Sequence, residues 1–189
     1  MSHRARKVRK ARNARRNAAH RLEMVGRRPP TVDDSLEIAV RFLQIAGAAA
    51  ASRDQAARML ADYLGRDPAV GSARLWYFAS CGPILVGQGI RVLSKVSLGP
   101  QDFWGFDRLP GAPVDRDAEV AAATVVRWLN NDESTMHDLI SAHYEAAASR
   151  GGWGAGQRAL IGMVIEHLGM LAKLIEAGAY PAVASVADG

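Results

Sequence analysis

The chain predicts an all-α protein: a single helical bundle of about six to seven helices, preceded by a basic N-terminal arm that is mobile or conditionally helical. Three observations carry this. Apolar residues recur at intervals of three and four along much of the chain, and alternation of period two is nowhere sustained. Alanine is abundant and β-branched runs are few, which favours helix. Capping residues, glycine and proline fall between the periodic segments, where helices start and stop. The chain has 189 residues, 49% of them apolar and 23% charged, which suits one domain plus an appendage. The expected organisation is an arm over 1–28, a bundle over 29–180 and a short tail over 181–189.

The arm comes first. Residues 2–25 contain no Gly or Pro, but like charges at helical spacing, such as Arg6/Lys10 and Arg12/Arg16, oppose helix in isolation. Helix there is expected once phosphates neutralise the charge. Gly26-Arg27-Arg28-Pro29-Pro30 then breaks the chain as a linker.

In the bundle, Thr31 or Asp33 caps a helix to about Gly47, with Leu36, Val40 and Leu43 as its stripe, widened by Ile38, Phe42 and Ile45. Ser52 with Gln55 forms a capping box for a helix ending at Gly65, apolar at Ala56, Leu60, Tyr63 and Leu64. Residues 72–80 and 83–97 read as two buried pieces separated by Cys81-Gly82-Pro83. A long loop follows from Ser97 to Asp115. Asp115 or Asp117 opens the next helix, through Val120, Val125, Val126 and Leu129, to about Asn130. Ser134 caps another, with Met136, Leu139, Ile140 and His143 on one face, ending near Gly151. The last runs from about Gly156 to Glu176 with Gly178 as its stop, on the stripe Ile161, Val164, Ile165, Leu168, Leu171 and Ile175.

Charge is the most informative functional feature. Arg4, Arg6, Lys7, Arg9, Lys10, Arg12, Arg15, Arg16, Arg21, Arg27 and Arg28 face one acid, Glu23, within the first 28 residues. The whole chain carries +5, so the arm holds +10 and the rest −5. A concentrated cationic arm on a mildly acidic body calls for a polyanion or a strongly acidic surface. Arginine forks suit phosphate oxygens, and no aromatic is interleaved to stack bases, so the expected partner is DNA or RNA held by its backbone with little sequence reading. An acidic protein partner and homo-oligomerisation through surplus apolar faces are the alternatives.

A second candidate is the loop at 97–115. Phe103, Trp104, Phe106 and Arg108 form either an aromatic plug over the bundle or a partner interface. Third, Ala56 to Gly65 resembles the first helix and turn of a helix-turn-helix. Arg66 stands where an apolar residue is usual, and the would-be reading helix holds Leu75-Trp76-Tyr77-Phe78, so ordinary packing is the reading.

Enzymatic chemistry is sparse, and no catalytic residue, metal or cofactor is assigned. Glu133 and His137 share a helix face but are too few for a metal site. His143 reads as a hydrogen-bonded core histidine. Glu166 and His167 are adjacent and diverge on a helix. Gly151-Gly152-Trp153-Gly154-Ala155-Gly156-Gln157-Arg158 has the glycines of a phosphate loop without its Lys-Ser/Thr, and reads as an interhelical turn.

Cys81 is the single cysteine, which fits a reducing, cytoplasmic setting. The N-terminus lacks a signal-type apolar run, and the stretch Leu75 to Ile90 falls short of the ~20 residues a bilayer span needs. Arginine dominance over lysine fits a GC-rich genome, actinobacterial or phage. The reading is a non-enzymatic nucleic-acid-associated accessory or packaging protein. Its alternative is a helical interaction or structural module, such as a phage component or host-factor binder, whose arm docks an acidic protein.

Overall fold

A computed structural model describes residues 32–95, 103–105 and 115–180. The arm, its linker, Phe106, Arg108 and the C-terminal tail lie outside the described residues. The chain divides into two units, residues 1–35 and residues 36–189. All described secondary structure is helical: α1 (Val32–Ala51), α2 (Arg53–Leu64), α3 (Pro68–Ser94), α4 (Arg116–Leu129) and α5 (Glu133–Glu176).

Each start has a local cause. Ser52 Oγ accepts from Gln55 N at 3.3 Å and caps α2. Asp115 Oδ1 accepts from Asp117 N at 2.9 Å and Ala118 N at 3.3 Å and caps α4. Asp132, not Ser134, caps α5, accepting from Thr135 N at 3.2 Å. Stops are equally local: Gly65 ends α2 at φ 73°, Lys95 follows α3 at φ 51°, and Gly178 follows α5 at φ 86°.

Of the two helix breaks foreseen at glycine-containing segments, one is absent and one is present. The break foreseen at Cys81-Gly82-Pro83 does not occur, and α3 runs through Pro83 for 27 residues. The residue before the proline is a glycine, which has no Cβ to clash with the pyrrolidine ring. Both Gly82 and Pro83 are buried, and tertiary packing around them keeps the segment helical. The break foreseen near Gly151 does occur. Gly151 (φ −140°, ψ 19°) and Gly152 (φ 72°, ψ −173°) split α5 into a first limb over 133–150 and a second over 153–176. Gly152 occupies a backbone region essentially reserved for glycine, as does Gly65 (φ 73°, ψ −175°).

Three contacts fix the register of α3 against the second limb of α5. Gln157 Nε2 donates to Ser72 Oγ at 3.0 Å, 85 residues apart. Gly82 packs on His167 and Gly89 on Leu174, at the same separation. The two helices therefore run parallel. α4 runs parallel to both, since Asp117 meets Gly162, Thr124 meets His167, and Trp128 lies on Gly87. The first limb of α5 runs back the other way, with Tyr144 against Trp76 and Gly156. This topology explains the long connection at 97–115. Asp117 lies level with Gly162, hence with Tyr77 on α3, while α3 continues to Ser94. The start of α4 therefore lies about 25 Å back along α3 from Ser94, at 1.5 Å per residue of helix.

The core is filled by Phe42, Ile45, Leu75, Phe78, Val125, Met136, Ile140, Leu160, Met163 and Leu171, all almost fully buried. Phe42 meets Phe78 edge-on with centroids 4.8 Å apart, and Tyr63 stacks on Phe78 at 4.3 Å. Two predicted stripes are rotated. In α1 the buried face is Phe42, Ile45 and Ala46, whereas Leu36 is 64% exposed and Val40 lies outward. In the second limb of α5 the buried line runs through Leu160, Met163, Val164, His167, Leu168, Leu171 and Ile175, with Ile165 outside.

Candidate functional site

Two histidines lie inside the bundle, and they are built differently. His167 comes from the second limb of α5 and is completely buried. Thr124 Oγ1 of α4 donates to Ala121 O at 2.7 Å and so turns a lone pair toward His167 Nε2 at 3.0 Å. Ala121 O is also 3.2 Å from Nε2. Both neighbours accept, which assigns the imidazole proton to Nε2. Nδ1 is left bare against Gly82, where a Cβ would stand 2.8 Å away. Burial drives the His167 pKa down to about 4, partly offset by the Ala121 carbonyl.

His143, on the first limb, is buried as the sequence suggested. It is not hydrogen-bonded in the expected way. Nε2 lies 2.9 Å from Asp117 Oδ1, yet the approach is badly directed, and neither ring nitrogen makes a well-formed hydrogen bond. Asp117 also presses on the second limb so closely that a Cβ at Gly162 would stand 1.9 Å from Oδ2. One carboxylate therefore touches both limbs of the α5 hairpin. Glu166, one turn beyond Gly162, has its carboxyl pKa raised first by burial and then by Asp115 and Asp117.

His167 against Gly82 and Asp117 against Gly162 are the close contacts of this seam. Two clefts among the described residues lie elsewhere. One, of about 420 Å³, is lined by Glu37, Arg41, Asp62, Tyr63 and Arg74, and the other, of about 340 Å³, lies beside Trp128 and Asn131 to Ser134. Arg74 spans the first, its guanidinium 5.1 Å above the Tyr63 ring and donating to the Tyr63 carbonyl. Among the described residues no three His, Cys, Asp or Glu side chains are placed to hold a metal ion, and Glu133 and His137 stay exposed. Cys81 is half-buried, and burial pushes its thiol up to about 12.

The eleven arm cations lie outside the described residues. Of the loop aromatics, Trp104 is half-buried and tied to the end of α4, its N–H donating to Asn130 Oδ1 at 2.9 Å and its carbonyl accepting from Asn130 Nδ2 at 3.1 Å. Phe103 beside it is 78% exposed. The helix-turn-helix resemblance at 56–65 leads into α3, whose Leu75 and Phe78 are buried at the centre of the core and unavailable to a groove. No helix among the described residues is long and apolar enough to cross a membrane.

Sequence reasoning placed His143 on its apolar face but missed Thr124, whose position four residues from Val120 and one from Val125 put it on the buried side of α4. His167 was readable as core from its place between Val164 and Leu171 on the helical period. No protein-family model matches the chain, and no curated protein or solved structure matches it.

Proposed function

We propose that the protein is a non-enzymatic, nucleic-acid-associated accessory or packaging protein, in which the helical body carries an arm that holds DNA or RNA by its phosphates. The carrying observation is the division of charge: eleven cations against one acid over residues 1–28, on a chain whose total is +5. Each neutralised phosphate releases counterions. If about eight of the cations engage, log affinity falls against log salt with a slope of about −7 on double-stranded DNA.

The test is a salt titration of the full chain beside a version with all eleven arm cations replaced by glutamine. The parent shows the steep slope on unrelated sequences, and the replaced chain loses most affinity while keeping its circular dichroism. Equal binding by both overturns the proposal.

A second reading is supported by Phe103, left in solvent next to an anchored Trp104. In that reading the loop and arm dock an acidic protein, and binding is stoichiometric with one protein and indifferent to nucleic acid.

A further inference from the structure

We infer that the corner at Gly151–Gly152 is a second nucleic-acid contact, where an unpaired base stacks on Trp153 while flanking phosphates meet Arg150 and Arg158. The inference rests on the arm reading above and supplies what the arm lacks, an aromatic surface. Three of the four tryptophans, Trp76, Trp104 and Trp128, pack against the core, whereas Trp153 is 57% exposed. Its neighbour Gly152 has open space around it, since a Cβ there would meet nothing within 4 Å. An indole face held in open solvent beside cations is the sequence-tolerant platform on which single strands stack.

The charge around it is of the matching sign. Arg150 and Arg158 are both exposed, and the Arg158 guanidinium lies over Gly154, 3.6 Å from a Cβ built there. No acid occurs from residue 146 to residue 165, although the chain outside the arm is net acidic. The parallel register of α3 and the second limb brings the Gly65–Asp67 turn to the same end, with Arg66 exposed on it. Two acids at this end, Asp67 and Glu145, are already engaged within the fold. A protein partner would also value an exposed tryptophan, but the acid-free, arginine-flanked setting favours a phosphate-bearing strand.

The experiment measures anisotropy of a labelled single-stranded 20-mer of thymidine and of a 20-base-pair duplex, at one fixed salt, with full-length protein. Trp153→Ala weakens single-strand binding about tenfold and duplex binding less than twofold, and Trp153→Phe restores most of the loss. The double change Arg150→Gln and Arg158→Gln weakens both ligands and, when the measurement is repeated across a salt series, lowers the slope by about 1 to 2. Trp153 is at the surface, so circular dichroism of each variant matches the parent. If Trp153→Ala binds the single strand as the parent does while the glutamine-arm chain has lost the duplex, the corner inference is overturned and the arm reading stands. If the glutamine-arm chain keeps its duplex binding, the arm reading fails instead, and the inference falls with it.

Discussion

Two segments of this chain look like helix breaks, Gly82-Pro83 and Gly151-Gly152, and only one of them is. At the first, a single helix continues for a further eleven residues to Ser94. At the second, the chain reverses into a hairpin that brings Tyr144 onto Gly156. The local chemistry would have ranked them the other way, because proline removes an N–H and glycine only adds freedom. What differs is the surroundings. Gly82 is clamped by His167 and Gly87 by Trp128, so neighbours on both sides hold the axis of α3. Gly152 has no neighbour within 4 Å of its Cβ position, and Gly151 meets only Ala155. A breaker at buried positions is overruled by packing, and a weaker one at the open end of a bundle decides the topology.

Acid should break the first site and spare the second. His167 offers Gly82 a bare Nδ1, and a proton there would sit against a backbone with no acceptor. In the unfolded chain this histidine titrates near 6.5, and in the fold its pKa is about 4. Between those values the unfolded state takes up a proton that the folded state refuses. The contribution is therefore fully present above about pH 6.5 and is lost as pH falls to about 4, a change on the order of 3 kcal/mol. Glu166, with its raised pKa, acts in the opposite direction over part of that range. Urea unfolding from pH 7 to pH 4 shows a falling midpoint, and His167→Gln flattens the curve. A parent curve already flat across that window would remove His167 from its role at Gly82.

Alanine substitutions sharpen the same contrast. Gly82→Ala drives a Cβ to within 2.8 to 3.0 Å of the His167 ring and should cost about 2 to 3 kcal/mol by overpacking. Gly152→Ala meets no neighbour, but forces φ of 72° on an L side chain and should cost about 1 to 2 kcal/mol. The mechanisms are separable by a second change. His167→Ala makes room for Ala at 82, so the double variant loses less than the two single losses added together. The same change leaves the cost of Gly152→Ala untouched, since the sites do not share a neighbour. Additivity at both sites would mean that His167 does not clamp Gly82.

These particulars mark what the sequence made legible. The helical class, the Ser52 cap, the end of α2 at Gly65 and the hairpin near Gly151 were readable, and the start of α4 was narrowed to Asp115 or Asp117, because each is set by residues within four positions. The faces of α1 and of the last limb were misjudged by one turn's fraction, since Leu36, Val40 and Ile165 are apolar but face outward. Period alone cannot say which edge of a wide apolar stripe meets a partner helix. The His143–Asp117 and His167–Thr124 pairs were hidden for a different reason: their members lie on different helices, the first pair brought together by the antiparallel turn from α4 into the first limb of α5 and the second by the parallel register of α4 with the second limb. The arm's cations were legible as charge, and charge is what their proposed role requires.

The smallest effect is expected at Pro83 itself. Pro83→Ala restores an N–H that can donate to the Ala79 carbonyl and removes a ring that crowds that carbonyl, both of which favour the helix. Against this, the buried ring surrenders its contacts, and the unfolded chain regains the freedom that proline had denied it, a loss of about 0.4 to 1 kcal/mol. The terms oppose and are similar in size, so stability should change by less than about 1 kcal/mol. A parent in which α3 were strained at this point would instead gain close to the ~3 kcal/mol that proline costs in an ordinary helix interior. Comparing urea midpoints of Pro83→Ala and the parent therefore distinguishes a helix that tolerates its proline through packing from one that is bent against it.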